Sequence, residues 1–278
     1  MKKIILFSAV AVLALTEAYA QKAVTLTYKY PSDRAVDYLN ISKIHEDMDI
    51  QGQTMTVDVV SVLGCSIRSA GNQGKNLKLE VKIDTLSQVI DSPQGRMGGN
   101  ASDAAGKTFS LVIRPDGKVA DRSEAEKIIY KIEGTGTTDM SASFIDFFPV
   151  LPGDKMTQGH TWTSTDTVSY GTGPNSQFTI VKAENKFEGF EKVLGMDCAK
   201  ITSLTEGTSI MNNQTQGMDL KTSGTFTGTV VTYFAPSAGY FVKSTSETRM
   251  TGQMEMTSPE SFTFPVVMTI TRTNELRK

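Results

Sequence analysis

The chain has 278 residues, with 28 Lys and Arg against 30 Asp and Glu and a formal charge of -2. Hydrophobic residues at 39% and charged residues at 21% describe a globular protein, not a disordered or membrane-embedded one. The charge balance argues against nucleic acid as a partner, which would need a basic surplus, and two His and two Cys leave little material for a zinc centre or an imidazole-based active site.

Residues 1–20 read as a secretory leader. Lys2 and Lys3 form a basic start, Ile4 to Leu15 an apolar run, and Ala18-Tyr19-Ala20 a small-residue cleavage site, which places the mature start at Gln21. The run is too short for a spanning helix, which needs roughly 20 residues, and no later segment approaches that length. The chain is therefore expected to be periplasmic or secreted in a Gram-negative cell and not to span a membrane. A transmembrane β-barrel is the competing reading. The charged end Glu275-Leu276-Arg277-Lys278 and the 8% aromatic content oppose it.

Period-2 alternation dominates the mature chain. Val24, Leu26, Tyr28 and Tyr30 alternate with polar residues, as do Met55, Val57 and Val59, then Leu77, Leu79, Val81 and Ile83. Late in the chain Phe262, Phe264, Val266, Met268 and Ile270 repeat the pattern, with Pro265 inside it predicting an edge or a bulge. Each segment is read as a strand with one buried face, as in antiparallel sheets. Residues 109–119 and 231–242 read as strand–turn–strand hairpins around Pro115-Asp116-Gly117 and Pro236 to Gly239. Their similar shape is consistent with a duplicated half or with ordinary recurrence of such turns. Gly95 to Gly106, Gly171 to Ser176 and Asn212 to Gly217 read as loops between long strands.

The middle of the chain departs from this pattern. Ser123-Glu124-Ala125-Glu126 has the form of a capping box, and Ala125, Ile128, Ile129 and Ile132 then fall at helical spacing, with Gly134 and Gly136 ending the helix. A second short helix is predicted from about Met140 to Phe148, stopped by Pro149. The predicted fold is mainly β: long antiparallel strands in a curved sheet or half-barrel, with a short central helical insert. The predicted organisation is a leader at 1–20, an N-terminal β half at 21–150 whose helical segment covers about 123–148, and a C-terminal β half at 151–278 packed against it.

Catalytic signals are thin. No G-x-S-x-G elbow, H-E-x-x-H, P-loop or G-x-G-x-x-G after a strand occurs, so neither an enzymatic activity nor a cofactor or metal site is assigned. His45 lies among Glu46, Asp47 and Asp49, and His160 precedes Trp162. Cys65 and Cys198 sit in separate halves and are read either as a disulfide in an oxidising compartment or as two buried thiols. Met250, Met254 and Met256 form a small cluster suited to lining a core or a pocket, while Met-x-Met is also a soft copper(I) motif. Phe144, Phe147 and Phe148 either cap the core or line a cavity in the curved sheet. The candidate lining of an apolar site is therefore Phe144, Phe147, Phe148, Met254 and Met256.

Three stretches carry a family resemblance: Leu151-Pro152-Gly153-Asp154 to Gly159-His160-Thr161-Trp162, Val193 to Ile201, and Tyr233-Phe234-Ala235-Pro236 to Gly239-Tyr240-Phe241-Val242. With them the mature chain resembles a family of exported bacterial β-rich proteins that has no assigned activity. It is more distantly similar to the periplasmic lipoprotein-carrier half-barrels. That second likeness implies an apolar cavity for acyl chains, lined by inward strand faces and the three phenylalanines. The expected function is non-enzymatic binding of an apolar, lipid-like ligand or an envelope component, the alternative being a structural or interaction protein of the envelope with a filled core.

Overall fold

In the computed structural model, residues 23–133, 136–172, 175–215, 218–258 and 261–277 are described; the leader expected at 1–20 lies outside them. The first run of strands is β1 (Val36–Ile50), β2 (Gln53–Gln73), β3 (Asn76–Ser92), β4 (Gly95–Asn100), β5 (Thr108–Ile113) and β6 (Val119–Asp121). A short hairpin of β7 (Ile129–Ile132) and β8 (Gly136–Asp139) comes next. The second run is β9 (Thr161–Thr172), β10 (Asn175–Val193), β11 (Met196–Thr215), β12 (Met218–Ala235), β13 (Tyr240–Ser258) and β14 (Phe262–Leu276). Apart from β7 and β8 they build one antiparallel sheet in the order β6-β5-β3-β2-β1-β14-β13-β12-β11-β10-β9, with β4 pairing β3. The sheet is antiparallel, as the alternation predicts, and it is curved and open. The two strand runs meet where β1 pairs with β14.

The ends of this path nearly touch. No backbone ladder joins β6 to β9 among the described residues. Instead, Lys118 Nζ lies 2.8 Å from an Asp166 carboxylate oxygen, and the Arg122 guanidinium donates to the Ser169 carbonyl at 3.1 Å. Curvature of this degree needs strands that can approach closely. Gly224 and Gly252 are direct partners on β12 and β13, and a Cβ on either would run into the backbone of the opposite strand.

The main core fills one end of the concave face. Tyr38, Cys65, Ile67, Leu79, Val81, Leu111, Phe187, Phe234 and Phe241 are all buried there. The segment 24–31, predicted to be a strand, crosses this end without joining the sheet. Val24 makes an isolated bridge to Met156, Lys29 N–H donates to the Gly239 carbonyl, and Ser69 N–H donates to the Pro31 carbonyl. Its alternation survives because Leu26, Tyr28 and Tyr30 point into the core. Tyr28 O–H donates to the Pro149 carbonyl at 2.7 Å, and its ring occupies the space a side chain at Gly117 would need.

The central insert is helical only in two 3-10 turns, Ala125–Lys127 and Met140–Phe144. The helix predicted to run through Ile132 becomes the β7–β8 hairpin, with Ile129 opposite Asp139. The capping box does not form. Glu124 accepts from Ser110 N–H instead, and Ser123 N–H donates to Asp121. Ile128, Ile129 and Ile132 are β-branched and favour a pleated surface. They alternate as strand residues do, with Ile132 buried and Ile129 54% exposed.

Three other expectations changed in detail. Gly95 to Asn100 is strand β4, which takes over the edge of β3 beyond the reach of β5. Of the expected loops at 171–176 and 212–217, residues 173–174 and 216–217 lie outside the described residues, and the flanking residues are strand, with ladders running to Thr172↔Asn175 and Thr215↔Met218. Pro265 sits in a central strand, but the β1 ladder stops at Met48↔Val266. Pro265 pairs only with Gln253 on β13, so it occupies a local edge.

Candidate functional site

Because partners in an antiparallel ladder share a face, the register reads out the concave side row by row. Above the apolar base lies a polar band. Asn40 faces Leu63 and Asn274, Ser42 faces Ser61 and Arg272, and Asn274 and Arg272 face Ser244 and Ser246. Beyond the band the face turns apolar again, with Met48, Met254 and Val266 forming a second buried cluster against Met55, Val57, Leu220 and Phe264.

The insert lies over the polar band and leaves a cleft of about 190 Å³. Asn40, Ser42, Ser61 and Gln88 line it from the sheet, Tyr130, Ser143 and Phe147 from the insert, and Leu63 and Leu86 supply an apolar floor. An ion pair between Arg272 on β14 and Asp146 on the insert borders it. The Asp146 carboxylate beside it raises the Arg272 pKa further. Burial raises the phenol pKa of Tyr130, and burial with the nearby Asp146 charge does the same for Tyr170. Asn274, 4% exposed, donates from Nδ2 to the Phe147 carbonyl at 3.2 Å, while its Oδ1 is buried without a hydrogen-bond partner. The cleft thus offers amide and hydroxyl groups and a fixed ion pair beside an aromatic edge, an arrangement that can hold a molecule with one apolar and one polar side.

The five residues predicted to line an apolar site do not share one. Phe144, Phe147 and Phe148 are buried in the main core, packed on Phe109 at 5.3 Å, Tyr38 at 5.6 Å and Tyr28 at 5.9 Å respectively. Of the three, Phe147 borders the cleft. Met254 belongs to the second cluster, and Met256 faces Leu220 and Phe262 further out. The cysteines are free and buried rather than bonded. The physical reason is their placement: Cys65 lies in the main core, whereas Cys198 lies in a separate cluster with Ala235 and Val242. Five strand steps of the sheet separate β2 from β11.

His45 is on the outer face, its Nδ1 2.8 Å from Asp58 and its Nε2 3.4 Å from Asp47. The Asp58 hydrogen bond raises its pKa, and Asp47 adds to this. His160 stacks on Trp162 with ring centroids 5.8 Å apart. Among the described residues no group of three His, Cys, Asp or Glu side chains is placed to hold a metal ion. Sequence reasoning missed Arg272, although the signal was present. Extending the Phe262-to-Ile270 alternation by one step puts a charged residue on the buried face.

An open trough of about 620 Å³ crosses the outer face, lined by Lys182, Glu206, Thr227, Glu247 and Arg249. Lys182 is bridged there to Glu206 at 3.1 Å.

No protein-family model and no curated protein matches the chain. Among solved structures it is similar to a candidate exported protein with a YmcC-like fold from Bacteroides fragilis, at 10% identity. That match covers 87% of this chain and 97% of the other, with a TM-score of 0.24. It is also similar to OccK2 of Pseudomonas aeruginosa at 9% identity, covering 89% and 99% with a TM-score of 0.27. OccK5 of the same organism is 7% identical, with coverage of 90% and 100% and a TM-score of 0.27. At such scores no residue role carries across. No helix among the described residues is long and apolar enough to cross a membrane.

Proposed function

We propose that the chain is an exported, non-catalytic binding protein that holds the compact end of an amphiphilic ligand in the cleft beside Phe147. The observation that carries this reading is the convergence of Leu63, Leu86 and Phe147 with Asn40, Gln88 and the Arg272–Asp146 pair. Apolar lining with a few convergent polar groups is the usual make-up of a ligand site. The volume narrows the lipid-like ligand expected from the sequence. About 190 Å³ is below the roughly 300–1,000 Å³ of sites that engulf drug-sized molecules, so a long acyl chain would leave most of its length outside. A short apolar group with a polar or anionic head fits.

Membership of the exported β-rich family, export through the 1–20 leader and the two-half division near residue 150 belong to the same proposal. A location outside the bilayer is supported by the outer face. There Arg68–Glu80, Lys182–Glu206 and Lys200–Glu191 ion pairs stand where a transmembrane barrel presents an apolar belt.

Native mass spectrometry of protein purified from its own envelope, followed by organic extraction, tests the reading. A stoichiometric small adduct on the wild type, lost in a cleft-filling Ser61→Leu variant, is expected. A clean unliganded mass under gentle conditions would overturn it. That result would favour a second reading, an interaction protein with a filled core, whose supporting observation is the apolar strip on the outer face of β10 and β11. Phe178 and Ile210 are direct partners there, 44% and 40% exposed.

A further inference from the structure

On the concave face from Asn40 outward, the register of the described strands places three charged side chains: Glu46, Asp166 and Arg272. Two have opposite charges beside them, Arg272 with Asp146 and Asp166 with Lys118. Glu46 does not share this arrangement. Its Oε1 is buried and has no hydrogen-bond partner. Its direct neighbours across the ladders are Val57 and Met268, and Ile44 and Met48 flank it on the same face of β1. Met250 follows Met268 in the same row, and Met48 packs with Met254 and Met55 in the second cluster.

We propose that this part of the concave face is a binding site for a soft monovalent cation, copper(I), with the Met48 and Met268 thioethers and the Glu46 carboxylate as its ligands. A carboxylate set among apolar groups is costly unless a cation or hydrogen bonds compensate it. Thioethers are neutral, soft donors that select copper(I) over harder ions and need not lose a proton to bind. One carboxylate matches one positive charge, whereas a divalent ion would leave a surplus in an apolar surround. Met250 and Met254 extend the sulfur-rich rim without being needed as ligands. The site is separate from the cleft beside Phe147, so either assignment can stand without the other.

The test is anaerobic titration of the full chain against the copper(I) complex of bicinchoninate, with ¹³C-methyl methionine spectra recorded in parallel. One copper(I) per chain should be withdrawn from the chelator, with shifts centred on the Met48 and Met268 methyls. Met48→Leu with Met268→Leu preserves volume and should weaken uptake about 100-fold, while Glu46→Gln should weaken it about tenfold, effects of the size ligand-shell losses produce. Retention of all copper by the chelator would overturn the proposal. So would undiminished uptake by the double variant, which would put the metal on Cys65, Cys198 or another group. Should the double variant fail to fold, the wild-type spectra decide: methyl shifts confined to methionines other than Met48 and Met268 refute the assignment.

Discussion

Lys118 and Asp166 stand 2.8 Å apart across the gap between the first and last strands of the sheet path. With the Arg122 to Ser169 hydrogen bond, they link the two edges by side chains where a closed barrel would have a backbone ladder. The pair is partly exposed, Lys118 30% and Asp166 37%, so its contribution to stability is small.

For this seam, Lys118→Met should cost at most about 1 kcal/mol and speed amide hydrogen exchange along Thr161–Thr172. High salt should move the wild type in the same direction by screening the pair. Hydrogen-exchange mass spectrometry reads both effects. Unchanged exchange in β9 would show that the edges are held by something other than this pair.

Neither thiol is poised to react. Burial is the main cause that pushes the Cys198 pKa up to about 11, and Cys65 is raised further still, again by burial above all. Since the thiolate is the reactive form, Ellman's reagent at neutral pH should label neither cysteine in the native protein and both in denaturant. Fewer than two thiols after denaturation without reductant would restore the disulfide.

Phe144 is fully buried between Phe109 and Phe147. Phe144→Ala should therefore cost about 3–5 kcal/mol by lost transfer energy and cavity formation, whereas Phe178→Ala on the outer face should stay within about 0.5 kcal/mol. Denaturant midpoints compare the two directly. A similar small cost at both positions would mean that the insert is not part of the cooperative core.

Glu46 gives a pH signature whose sign comes from linkage. Burial raises its folded-state pKa above the ordinary 4.5, so the folded chain holds this proton longer than the unfolded one. Stability from this group is greatest below the unfolded value and falls as pH rises through the folded one. Glu46→Gln should remove that fall and make the metal-free protein more stable at neutral pH, as read by thermal unfolding from the unfolded value of 4.5 upward. A variant less stable than the wild type at neutral pH would mean that the carboxylate has a compensating partner.

Much of the fold was legible in the alternation. Leu77 to Ile83 and Phe262 to Ile270 are strands with one buried face, and the turns at Pro115 and Pro236 are hairpins. The same signal misled at Leu26, Tyr28 and Tyr30. Period-2 burial reports an extended chain with one side against apolar matter, and it does not distinguish a ladder from a plug across the end of a sheet. Ala125, Ile128 and Ile132 are at helical spacing and are shielded, yet that spacing also fits a 3-10 turn followed by a β-branched strand. The site was least legible. Asn40, Asp146 and Arg272 are far apart in sequence, and the rolling of the sheet under the insert is what brings them together. A charged residue in phase with an apolar face, as at Glu46 and Arg272, was the available clue.

The pairing of β1 with β14 shapes how the chain reaches this state. Every other ladder between neighbours in β9 to β14, and those between β1, β2 and β3, joins consecutive strands through a hairpin and can form locally. The Tyr38↔Leu276 to Met48↔Val266 ladder joins segments more than two hundred residues apart, at the middle of the sheet. Closing so large a loop is slow, so two meanders are expected to form first and wait with one bare edge each. Mutations confined to the β1–β14 contact should slow the joining step and lengthen the time those edges are open to other chains. The sheet's most central ladder is then its kinetic bottleneck and its point of greatest exposure to aggregation.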